Sequence, residues 1–152
     1  MGLYNYPVFH ECLKLEKITV AEENTHFYDN DGVLFRNFPP ALLKYPPRKD
    51  NSFFSIPSGI EIIYEEAFAD SEKLTSIIIP NSVSEIHSGA FKSCTSLTSF
   101  AFPLKVTIVS GLVLVDCVNI ETVTLSPETT EIGDTAFGGC SALTEITLHD
   151  KN

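Results

Sequence analysis

Residues 79–100 read Ile-Pro-Asn-Ser-Val-Ser-Glu-Ile-His-Ser-Gly-Ala-Phe-Lys-Ser-Cys-Thr-Ser-Leu-Thr-Ser-Phe. Their apolar slots are Ile79-Pro80, Val83, Ile86, Ala90-Phe91, Cys94, Leu97 and Phe100. Stepping forward by 23 residues gives Phe102-Pro103, Val106, Val109, Val113-Leu114, Cys117, Ile120 and Val123. A second step of 23 gives Leu125, Thr129, Ile132, Ala136-Phe137, Cys140, Leu143 and Ile146. Stepping back gives Ile56-Pro57, Ile60, Ile63, Ala67-Phe68, Ser71, Leu74 and Ile77. Four copies in one register thus fill 56–147 without an insertion. A fixed period of this length is the mark of a stacked repeat architecture.

Each slot has a physical reason. Leu74-x-x-Ile77-x-Ile79 alternates like a short strand, and Pro80 stops the ladder. Val83-x-x-Ile86 returns along the other side of the coil, and the Ala-Phe pair is expected in a turn or single helical turn. One unit cannot bury these groups alone. Stacking copies at a strand spacing of about 4.8 Å closes a continuous core and lays a parallel sheet along one face. Each buried Phe, Leu or Ile stabilises such a stack by roughly 1.5–3 kcal/mol.

Upstream, Val8-Phe9, Cys12, Leu15, Ile18 and Val20 match the second half of a unit. Cys12 lies 59 residues before Ser71, one 23-residue period plus 36. Three segments follow: a partial repeat over 1–20, an insertion over 21–55 and four repeats over 56–152, all in one structural domain. In the insertion, His26-Phe27-Tyr28, Asp29-Asn30-Asp31-Gly32 and Val33-Leu34-Phe35 read as a hairpin. Ala41 to Tyr45 reads as a further strand, closed by Pro46-Pro47. The dense aromatics of this segment argue for a packed small sheet.

Composition narrows the classes of function. The chain has 152 residues, 20 acidic against 10 basic, for a net charge of −10. Nothing in that balance neutralises a phosphate backbone, so no nucleic-acid partner is expected. Hydrophobic residues at 43% and charged ones at 20% exclude a disordered chain. No apolar stretch approaches a membrane span, and no membrane insertion is expected. The N-terminal residues show no basic region followed by an apolar one, so no secretory signal is read there.

The pattern Ile-Pro-x-x-Val-x-x-Ile-x-x-x-Ala-Phe-x-x-Cys-x-x-Leu-x-x-Ile closely resembles the BspA-like class of leucine-rich repeats. The interruption Asn24…Tyr28…Asp31-Gly32-Val33-Leu34…Leu43…Tyr45-Pro46…Ile56-Pro57 also resembles segments of that family. The resemblance implies an α/β-type, right-handed leucine-rich-repeat solenoid, strand-dominated with short helical turns, plus the hairpin insertion. It implies a bacterial protein, at the cell surface or secreted, acting in adhesion or protein binding. It brings no catalytic residues and no cofactor. The chain departs from the pattern at Val113-Leu114, in place of Ala-Phe, and at Ser71, in place of cysteine.

Candidate chemistry is sparse. Cys12, Cys94, Cys117 and Cys140 fall at one phase of the repeat, which suits a column of buried thiols better than a metal site. Asp29-Asn30-Asp31-Gly32 lacks the alternate ligands and late glutamate of a calcium loop and reads as a turn. His10, His26, His87 and His149 share no ligand spacing. With no phosphate loop, serine elbow or converging carboxylates, an enzyme is not expected.

The candidate binding face is the outward side of the short strands: Lys17 and Thr19, Ser76 and Ile78, Ser99 and Ala101, Thr122 and Thr124, Glu145 and Thr147. These would form two columns of mostly small hydroxyls. Such residues suit a solvated parallel sheet, and they equally suit a flat face that admits a protein ligand. Two functions stand at this point: a protein-binding or adhesion module, and a structural spacer with no specific ligand. The last strand carries no cap in sequence, so the chain is expected either to continue into further repeats or to self-associate through that open edge.

Overall fold

The computed structural model describes residues 7–148. The chain enters the fold through a hairpin of β1 (Phe27–Asn30) and β2 (Val33–Arg36). Its turn residues Asp31 and Gly32 both have positive φ, 52° and 76°, the type I′ geometry whose twist matches the flanking strands. The Asp-Gly pair therefore makes the turn expected of it, and the Gly32 carbonyl accepts the Ile18 N–H at 2.9 Å.

Beyond the hairpin the chain coils. One side carries β3 (Ala41–Lys44), and the other carries β4 (Phe53–Ser55). The two sides then alternate through β5 (Ile62–Ile63), β6 (Ser76–Ile78), β7 (Glu85–Ile86) and β8 (Ser99–Ala101). They continue with β9 (Ile108–Val109), β10 (Thr122–Leu125), β11 (Glu131–Ile132) and β12 (Glu145–Leu148). Pairing within each side is parallel and follows the 23-residue period: Ile62↔Glu85, Ile108↔Glu131, Phe53↔Ser76, Ser99↔Thr122 and Thr122↔Glu145. The result is a strand-dominated solenoid of about 5 turns. The hairpin joins it edge-on, in the order β1-β2-β3-β5-β7.

The segment 41–56 is itself a rung. Phe53 pairs with Ser76, one period on, and Tyr45 occupies the aromatic slot. Its N–H donates to Ala67 at 2.8 Å, as Phe68 donates to Ala90 at 2.7 Å and Phe91 to Val113 at 2.9 Å. This rung is shorter than its neighbours. Ala41 pairs with Ile62 and Leu42 with Ile63, 21 residues away in place of 23. Two residues are thus missing between strand and aromatic slot.

The short helical turns, and with them the α/β character, do not form: the described residues contain no helix. The Ala-Phe segments are runs of tight turns, and the reason is competition for amides. Phe68, Asp70, Phe91, Ser93, Leu114 and Asp116 each donate to a carbonyl of the next rung, while the residues between them donate back over three positions. An α-helix would need all of these amides within one segment. Two left-handed residues per rung make the alternation possible. Glu66, Gly89, Leu112 and Thr135 have φ of 52, 62, 59 and 54°. Four positions later Asp70, Ser93, Asp116 and Gly139 have φ of 63, 56, 60 and 72°. Glu11 in the N-terminal copy shares the feature, φ 56°, and the turn bonds Cys12→Phe9 and Leu15→Cys12 match Ser71→Phe68 and Leu74→Ser71.

Apolar slots converge on one core along the axis. Tyr45, Phe68 and Phe91 stack face to face at centroid distances of 5.1 and 4.8 Å, and Phe100 meets Phe91 edge-on at 4.7 Å. Leu114 then replaces the ring and stays fully buried. At the C-terminal side burial fails. Val123 is 1% exposed, whereas its equivalent Ile146 is 42% exposed, with Ile132 at 52% and Leu148 at 59%.

Candidate protein-binding face

The side built from β4, β6, β8, β10 and β12 presents two outward columns. Ser99, Thr122 and Glu145 stand in register in the first, and Ala101, Thr124 and Thr147 in the second. Ser76 and Ile78 precede them by one period. All eight lie at the surface, Thr124 half-buried, while Phe100 and Val123 between them point inward and are buried. This alternation places small polar groups outside and large apolar groups inside. Thr147 and Thr124 hydroxyls lie 3.4 Å apart along the column.

Lys17 and Thr19 do not join these columns. They lie outside any strand, because Ile18 is drawn to the hairpin turn at Gly32. Their places are taken by Phe53 and Ser55, paired with Ser76 and Ile78. Sequence reasoning missed both, although subtracting 23 from Ser76 would have reached them. The change matters chemically: Phe53 is 48% exposed and Ile78 55%, so the N-terminal part of the face carries two large apolar side chains beside the small hydroxyls. Beside them Lys73 donates to Asp50 at 2.8 Å and holds that carboxyl below its usual range.

The thiol column runs inside. Cys94, Cys117 and Cys140 donate to the carbonyls of Phe68, Phe91 and Leu114 on the preceding rung at 3.2, 3.1 and 3.2 Å. Burial raises all three thiol pKa values, that of Cys117 to about 12. These are packed, protonated groups and not nucleophiles. Ser71 occupies the same slot with a buried hydroxyl that makes no hydrogen bond. Cys12 departs from the column and is exposed. Among the described residues no group of His, Cys, Asp or Glu could hold a metal ion. His10 meets Glu66 at 3.0 Å and His87 meets Glu85 at 3.2 Å, while His149 lies outside the described residues. Asp29 accepts the Val20 N–H at 2.8 Å, a structural use of the acidic turn. No helix among the described residues is long and apolar enough to cross a membrane.

A family model for the BspA type leucine rich repeat region matches residues 49–152 in 6 copies. The chain belongs to the BspA-type leucine-rich repeat family. Solved structures similar to this BspA-type chain include a leucine rich cell surface protein from Faecalibacterium prausnitzii, at 26% identity and a TM-score of 0.72. That match covers 94% of this chain and 44% of the other. A leucine rich repeat protein of T. pallidum is 32% identical over 62% of this chain and 44% of its own, with a TM-score of 0.60. The pneumococcal vaccine antigen PcpA shares the fold at 22% identity and a TM-score of 0.66, over 90% of this chain and 40% of its own. The chain therefore spans less than half the length of these relatives. No curated protein matches the sequence.

Proposed function

We propose that this BspA-type solenoid is a non-enzymatic protein-binding or adhesion module of a bacterial cell-surface protein, and that it binds through the two outward columns. The observation that supports this reading is that two large exposed side chains, Phe53 and Ile78, stand on the β4–β6 pair one period before the small surface residues Ser99, Ala101, Thr122 and Thr124 of the next sheet on the same side. Large apolar anchors beside a shallow surface are what an interface core requires. Residues 1–20, 21–55 and 56–152 would act as one structural unit, with the ligand contacting the last two. The surface location rests on the Faecalibacterium relative, described as a cell surface protein.

The test is binding of the purified chain to intact host or bacterial cells, with substitutions on both sides of the coil. Ser99→Arg and Phe53→Ala should abolish saturable binding and leave the unfolding midpoint within 2 °C or so of the parent. Glu85→Arg, on the opposite side, should leave binding intact. Equal loss from both sides, or no saturable binding by the parent, would favour the spacer reading. A second contact is proposed at the C-terminal edge, where Ile132, Ile146 and Leu148 are exposed beside the free edge of β12 and a second copy could pair.

A further inference from the structure

Leu43 and Lys44 of the shortened rung line a cavity at the N-terminal side of the coil. This half-open cavity of about 860 Å³ lies between the N-terminal segment, the hairpin and the turn at Tyr64–Glu66. That volume is within the range of small-molecule sites, roughly 300–1,000 Å³. Its walls are mainly apolar, among them Val20, Phe27, Leu34 and Leu43. Seven polar side chains also line it: the donors Lys44, Arg36 and Tyr64, together with Thr19, Asn24, Glu65 and Glu66.

Lys44 stands in the slot that Ala67, Ala90, Val113 and Ala136 fill on later rungs, one residue before the aromatic position. It is 3% exposed, and its ammonium group has one hydrogen bond, to the Glu66 carbonyl at 2.8 Å. Two further N–H donors remain on it. Burial lowers its pKa, against the opposing pull of the nearby carboxylates of Glu66 and Asp70. Glu66 is in turn engaged by His10, and Glu65 on the same wall is exposed. Arg36 donates to the Tyr64 hydroxyl at 2.6 Å and the Pro39 carbonyl at 3.2 Å, and its guanidinium lies 4.9 Å from the Tyr64 ring centre. That leaves Arg36 donors and the Tyr64 O–H proton unused. Three donor groups, two of them cationic, thus share one mainly apolar cavity with the carboxylates of Glu65 and Glu66, of which Glu66 is taken up by His10.

We propose that this cavity binds a small amphipathic carboxylate, its aliphatic chain against Leu34, Leu43 and Phe27 and its carboxylate taken by Lys44 and Arg36. The apolar wall supplies the burial, and the acceptor head group completes the donors that the fold leaves open. The site is independent of the outward face of the solenoid.

Octanoate is the probe, with octanol and octylamine as neutral and cationic partners of equal chain length. The expected result, by titration calorimetry on the whole chain, is saturable octanoate binding with weaker octanol and no octylamine binding. Amide NMR shifts should fall at Leu34 and Leu43. Lys44→Ala installs the residue that later rungs already carry, so it should fold. It should weaken octanoate about tenfold or more while leaving octanol unchanged. Arg36→Met repeats the comparison should Lys44→Ala fail to fold. Octanoate affinity unchanged in a folded Lys44→Ala or Arg36→Met variant overturns the proposal, as does octylamine binding equal to octanoate or no octanoate binding by the parent.

Discussion

Replacing Phe91 by alanine tests the aromatic column directly. Phe91 is fully buried, stacked on Phe68 at 4.8 Å and edge-on to Phe100 at 4.7 Å. Truncating a buried Phe to Ala costs about 3–5 kcal/mol in lost transfer energy and cavity formation. The two ring contacts, each worth about 0.5–1.5 kcal/mol, push this site toward the upper end. A domain stability of roughly 5–15 kcal/mol makes that loss severe. With an m-value of about 2 kcal/mol/M, the urea midpoint should fall by about 2 M. The slot itself supplies the internal standard. Leu114 fills it one rung later with no exposure, so Phe91→Leu should cost only about 1–1.5 kcal/mol. Phe137, in the same slot on the last described rung, is only half-buried, and Phe137→Ala should cost about 1–2 kcal/mol. Equilibrium urea unfolding followed by far-UV circular dichroism reads all three. Equal losses for Phe91→Ala and Phe137→Ala would refute the reasoning, because the cost would then not depend on rungs packed from both sides.

Thr135 is β-branched yet holds φ of 54°, a position Gly89 fills in the second repeat. Thr135→Gly should stabilise by about 0.5–1 kcal/mol and Gly89→Thr should destabilise by about 1–2 kcal/mol, both by thermal scanning. The Cys117 thiol keeps its proton in the fold up to about 12, whereas the unfolded thiol loses it near 9.0. Its contribution to stability is therefore complete below pH 9 and declines as pH rises toward 12, where pH-dependent unfolding should show the loss. In native protein a thiol reagent should label Cys12 at once and Cys94 and Cys117 only on unfolding, as mass spectrometry would show. If copies pair at the open edge, Ile146→Lys should shift the chain to monomer in sedimentation velocity without loss of fold.

The four regular repeats were legible because each slot recurs with the same physical task, so periodicity alone placed Phe68, Phe91, Cys94 and Cys117 in the core. The rung at 41–56 was hidden. Lys44 stands in its alanine slot, Arg48 in its cysteine slot and Asn51 in its leucine slot, and two residues are missing besides. That concealment displaced the candidate face as well, assigning Lys17 and Thr19 to columns that Phe53 and Ser55 complete. The helical turns were misjudged for a different reason. Local pattern says nothing about an amide that will donate to a residue one rung away, as Phe91 does to Val113. The cavity lay beyond reach too, since its walls come from segments far apart in sequence, 7–9, 19–36, 43–44 and 64–66, and not from any motif.

The turns give the coil a direction. Along that side the peptide amides of Phe68, Phe91 and Leu114 all point toward the later rung and none toward the earlier one. Peptide dipoles aligned in one sense add, much as they do along a helix. The turn side of the solenoid is therefore polar from end to end, whereas the strand side donates both ways, Thr75 back to Ser52 and Ile56 forward to Ile78. It offers carbonyl oxygens on its first turns and N–H groups, at Thr135, Phe137 and Gly139, on the last described one. A chain or a second molecule that extends the stack there must present acceptors to these turns, so growth at the two ends of this side is chemically unlike even though the regular rungs repeat one shape.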